Sequence, residues 1–157
     1  MKVCMKLAFD EHAALRLLNW LALENARILK ARPDLPGLYA SGVRYQREPD
    51  ELWCDYLTML AMGHEDCDGL AAARAGELIA RGGRALSPDD AGYRAGRQLR
   101  SIPAQVLLLT RAGKLEPGMY HCVVRYRVGG RWYRDDPSAR LGMPTGPTLA
   151  GGERCGC

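Results

Sequence analysis

Three residue types that together make a thiol nucleophile occur in this chain in a usable order: Cys67, His121 and Asp136. Cys67 closes the polar run Gly63-His64-Glu65-Asp66. It opens an alanine-rich segment whose Ala71, Ala72, Ala75, Leu78 and Ile79 share one side of a helical wheel. Asp66 is the expected N-cap and Gly82-Gly83 the expected stop, so Cys67 falls in the first turn. Unpaired N–H groups and the positive end of the helix favour a thiolate there. Glu65, Asp66 and Asp68 oppose it, so a cation has to come from elsewhere in the chain.

The hairpin supplies a candidate. Residues 119–128 alternate, Gly129-Gly130 is a two-residue turn, and residues 131–136 return. Without a bulge, Val128 faces Arg131, Tyr126 faces Tyr133 and Val124 faces Asp135. Cys122, Val124, Tyr126, Val128, Arg131, Tyr133 and Asp135 then share one face, and His121, Val123, Arg125, Arg127, Trp132, Arg134 and Asp136 the other. His121 and Asp136 are same-face diagonal neighbours, about 7–8 Å apart at the backbone and within reach of a hydrogen bond. Such a carboxylate holds the imidazole in one tautomer, and the imidazole takes the thiol proton. Arg125, Arg127 and Arg134 are either a solvated face beside this pair or a clamp for an acidic substrate group.

The positioning elements follow from pattern. Asp10 caps an expected helix from Glu11 to about Arg32, stopped by Pro33, with Ala14, Leu17, Leu18, Leu21 and Ile28 inward and Leu15 and Trp20 widening the apolar face. Residues 33–49 read as a loop that wraps over the body. A second helix is expected from Asp50 to about Met62, burying Leu52, Trp53, Tyr56, Leu57 and Leu60. Residues 83–101 read as loop and residues 104–110 as a buried strand. Helices first and strands after give an α+β fold, N-terminal helices packed on a small antiparallel sheet. One domain is expected over 1–143, with a Gly/Pro/Cys-containing tail at 144–157.

Composition narrows the function classes. Of 157 residues, 47% are hydrophobic and 25% charged, ordinary values for a globular chain, and the net charge of +4 is scattered. That gives no reason to expect nucleic acid as partner, and no stretch suits a membrane span. The first ten residues do not read as a secretory signal, so a cytoplasmic site with reduced thiols is expected for the six cysteines. Cys4, Cys54 and Cys122 are read as structural. His64-x-x-Cys67 and Cys155-x-Cys157 raise a zinc-stabilised binding module as a rival, but no well-spaced pair of Cys-x-x-Cys elements supports it. The expectation is therefore no metal and no cofactor.

At these residues the chain resembles the transglutaminase-like cysteine protease branch of the papain-type superfamily. The likeness rests on Asp66-Cys67-Asp68 at a helix start, the His121 strand, and Trp132 followed by Asp136-Pro137. Trp53 upstream and the acidic turn are similar to small bacterial and phage-borne members, and the resemblance spans roughly residues 40–143. The turn departs from the family in its extra residues after Gly63 and in Gly69. The resemblance implies a papain/transglutaminase-like core and attack by Cys67 on an amide of a peptide or protein through a thioester. His121 would be the base and acid, and Asp136 the orienter. It also implies an oxyanion held by the Cys67 N–H with Trp53 as a candidate partner, and Asp66 in support. The same fold without catalysis, as a phage structural or assembly protein in the host cytoplasm or virion, is the other reading the resemblance implies.

Overall fold

A computed structural model describes residues 2–3, 10–48, 52–109 and 120–144, the first pair as backbone only. The expected tail, with Cys155 and Cys157, lies outside these residues except for Pro144, as do Cys4, Asp50, Thr110 and Met119. The fold is mixed α+β. Helix α1, Glu11–Ala31, begins where the Asp10 carboxylate accepts the His12 and Ala13 N–H groups. It ends before Pro33, whose predecessor is barred from helical geometry. Ala14, Leu18, Leu21 and Ile28 are buried as expected, but Trp20 is 51% exposed. A wheel gives the centre of an apolar face, not how far the neighbouring layer reaches around it.

Strand β1, Lys2–Val3, pairs with β3, Trp53–Cys54, and β2, Arg44–Tyr45, pairs in parallel with β4, His64–Glu65. The second helix is shorter than expected. Trp53 is in β3, and α2 runs only from Tyr56 to Met62. Asp55 fixes that start by accepting the Thr58 N–H, while the buried Asn25 on α1 accepts the Tyr56 N–H at 2.8 Å. Tyr56 and Met59 point inward and Leu57 faces out.

Helix α3, Cys67–Arg81, matches its expected bounds, with the Asp66 carboxylate accepting the Asp68 N–H and Gly82 ending it at φ 57°. It is the central element, packed between α1 and the sheet. Its alanines keep both approaches close. At Gly76 an added Cβ would lie 2.7 Å from the Ala22 carbonyl oxygen, so only glycine lets the α1 and α3 backbones meet there. The expected loop at 83–101 begins in a 3₁₀ turn, Gly82–Ala85, and holds a short helix, α4, Tyr93–Gly96.

Strands β5, Ala104–Leu109, β6, His121–Val128, and β7, Arg131–Asp135, form an antiparallel sheet in that order. The hairpin has the expected register, and its turn glycines sit at φ 56° and 79°, the left-handed values a two-residue turn requires. Val106, Cys122, Val124, Tyr126 and Val128 bury their side chains in one core with Leu18, Leu21, Cys67, Ala71, Ala75 and Leu78. Beyond the sheet, Pro137–Arg140 forms a short helix, α5. Among the described residues no helix is long and apolar enough to cross a membrane.

Candidate functional site

His121 begins β6 opposite Leu109, and Asp136 follows the last residue of β7. Their side chains meet as the hairpin register requires, Nε2 of His121 lying 2.8 Å from Oδ2 of Asp136. The other carboxylate oxygen accepts the Ala139 N–H, so Asp136 also caps α5. That double attachment fixes the carboxylate plane. Burial alone would raise the Asp136 carboxyl, but the hydrogen bond from His121 and those from backbone N–H groups hold it below its ordinary range. With the imidazole proton on Nε2, a neutral ring carries its lone pair on Nδ1. That Nδ1 is buried and has no hydrogen-bond partner among the described residues.

Cys67 is fully buried in the first turn of α3, in the core cluster that holds Tyr120 and Cys122, the residues on either side of His121. Its sulfur is in a disulfide. This corrects the expectation of reduced thiols throughout. Sequence spacing says nothing about which sulfurs the fold brings together. Cys54 and Cys122 are buried thiols, so neither is the partner. The structure thus joins His121 to Asp136 directly and packs Cys67 against the opposite, inward face of the same strand, with its sulfur covalently occupied.

The remaining candidates surround the start of α3. The Trp53 indole N–H donates to Oδ2 of Asp68 at 2.6 Å, which commits the group considered for an oxyanion. Asp66 is the cap. Glu65, which sequence reasoning did not single out, is fully buried. Its Oε1 accepts the Asp66 N–H and its Oε2 has no partner among the described residues. Burial first, and the neighbouring Glu48 second, push its carboxyl up to about 8. The side chain lies where a Cβ on Gly69 would stand, which gives the glycine its reason. Among the described residues the potential metal ligands that converge are Glu65, Asp66 and Asp68, within 4.8 Å of one another, not His64 and Cys67.

No family model, curated protein or solved structure matches this chain. Its function therefore has to be argued from its own side chains.

A second cluster was not legible in the sequence. Arg74, which lies off the apolar side of the α3 wheel, is fully buried. It donates to Asp135 (2.7 Å), Glu77 (2.9 Å), Asp90 (3.2 Å) and the Ala85 carbonyl. Arg140 reaches Asp90 and Asp135, and the two guanidiniums stand 4.7 and 4.0 Å from the Tyr39 ring centre. The Tyr39 hydroxyl donates to Asp135. Burial alone would push Arg74 toward neutrality, but Glu77, Asp135 and Asp90 reverse this and keep it charged. The Arg74–Glu77 pair has ordinary helical i,i+3 spacing. Nothing local signals Asp135, 61 residues away.

Proposed function

We propose that the chain, with Cys67 reduced, is a thiol-dependent hydrolase or acyl transferase acting on amide bonds of a peptide or protein. The observation that carries this reading is His121, tied at Nε2 to Asp136 and left with a buried Nδ1 that has no partner among the described residues. A buried polar atom without a partner costs free energy, and this reading requires the imidazole, at the end of β6, to turn past the strand edge to the Cys67 thiol, which packs on the inward face beside Tyr120 and Cys122. Reduction of the disulfide by an external dithiol returns the Cys67 thiol and leaves the dithiol oxidised. Nδ1 then takes the thiol proton, and the thiolate attacks the substrate carbonyl. Collapse of the tetrahedral adduct breaks the C–N bond as His121 returns the proton to the leaving amine. Water or a second amine releases the thioester. The proposed frame is a transglutaminase-like core over residues 1–143, with Cys67 at a helix start, His121 at the start of β6 and Asp136 just past the end of β7.

The disulfide favours a second reading, a catalytically silent scaffold of the same fold with structural or assembly use. The test is iodoacetamide labelling at about pH 6, where an ordinary thiol is almost wholly protonated. Wild type and His121→Ala are compared before and after reduction, with the modified residue mapped by mass spectrometry. Selective labelling of reduced Cys67 that disappears in His121→Ala supports the enzyme. A reduced Cys67 that labels no faster than the other cysteines leaves the scaffold.

A further inference from the structure

The outward face of the β5–β7 sheet carries His121 at one end and a row of arginines beyond it. Arg125 pairs with Arg134, and Arg127 with Trp132, across the β6–β7 ladder. Trp132 is 51% exposed, with the Arg125 guanidinium 4.8 Å and that of Arg127 5.9 Å from its ring centre. The Gln105 amide, turned with its oxygen toward Arg125, holds that guanidinium from the side. Among the described residues no carboxylate pairs with Arg125, Arg127 or Arg134, whereas Arg74 and Arg140 are paired several times over. The arginine row is thus cationic and, among the described residues, uncompensated, and the exposed Trp132 ring beside it is already stacked.

We propose that this face docks an acidic polypeptide segment in extended conformation. As a substrate-binding face the proposal rests on the thiol-hydrolase reading. Exposed Trp ringed by Arg is the composition of binding hot spots, and guanidiniums already stacked and braced lose less freedom when they meet a carboxylate. Same-face residues of a strand are about 6.6–6.8 Å apart, and an extended peptide has the same repeat. Arg125 and Arg127 therefore match carboxylates on alternate residues. They stand about 13 and 20 Å along the strand from His121, with the buried Val123 between. A peptide is favoured over nucleic acid because 22 basic residues face 18 acidic ones in the chain and the patch is confined to this one sheet face.

The test is fluorescence anisotropy with the intact, oxidised chain, so that no Cys67 chemistry enters. The probes are a labelled Glu-Ala repeat peptide, its Gln-Ala counterpart and oligothymidylate. The Glu-Ala peptide is expected to bind best, to weaken as salt rises, and to lose about tenfold in affinity in Arg125→Glu/Arg127→Glu. Arg127→Gln/Arg134→Gln and Trp132→Ala, checked by thermal melting, repeat the test without charge reversal. Equal binding of the Gln-Ala peptide, or no loss in the folded variants, overturns the proposal. Tighter binding of oligothymidylate overturns it in favour of nucleic acid. If acidic peptide binds but reduced Cys67 fails the labelling test, the docking face stands and the enzyme reading falls.

Discussion

Asp135 and Asp136 are neighbours in sequence and belong to two different kinds of site. Asp135 faces α3, where Arg74, Arg140 and Tyr39 saturate its oxygens in a buried network. Asp136 faces the other side of the sheet and engages one imidazole, mostly buried, whose second nitrogen has no partner among the described residues. The pleat of one strand separates a carboxylate that holds the fold from one that orients a base. The difference teaches that saturation marks a structural site, while an unused hydrogen-bond acceptor in an otherwise ordered pair marks a place for chemistry.

The largest effect that would break this contrast is on the saturated side. Arg74→Met leaves Glu77, Asp90 and Asp135 without their common cation and should cost about 3–5 kcal/mol by urea denaturation. A cost near zero would mean that the network is not holding α3 to β7. The paired substitutions Asp135→Asn and Asp136→Asn test the division itself. Asp135→Asn should cost about 3 kcal/mol while leaving Cys67 labelling selective. Asn is as good an N-cap as Asp, so Asp136→Asn should change stability by under about 1 kcal/mol. It should slow labelling of reduced Cys67 at about pH 6 by on the order of 100-fold. Similar effects from both would erase the distinction.

A smaller effect concerns Glu65. Its folded-state carboxyl lies at about 8 against an ordinary 4.5. Between these values the folded chain holds a proton that the unfolded chain has released, so stability falls as pH rises through that window. Glu65→Gln keeps the acceptor for Asp66 and removes the titration. Relative to wild type it should gain stability at about pH 8 over about pH 5, by about 1–3 kcal/mol. An unchanged difference between the two pH values would show that Glu65 is solvated.

Much of this was legible because it is periodic or local. The α1 and α3 caps are side chains reaching backbone two or three residues away, and alternation about a two-glycine turn sets the β6–β7 register. That register alone chose Asp136 over Asp135 for His121. The second helix was misjudged because Trp53 and Leu57 fit a wheel, while β1 and Asn25 decide that β3 comes first and α2 starts at Tyr56. The burial of Arg74 was not legible for a similar reason, since a charged residue on a wheel reads as solvated until a distant partner is known.

The sequence by itself determined where the helix carrying Cys67 begins, the pairing of His121 with Asp136, and the face on which the arginines stand. These depend on caps, period and turn chemistry, which act over a few residues. Only the tertiary structure decided that Arg74 is a buried hub, that Glu65 is a buried acid and that the Cys67 sulfur is in a disulfide. Each of these requires segments far apart in the chain to meet, and such meetings are fixed by packing of the whole core.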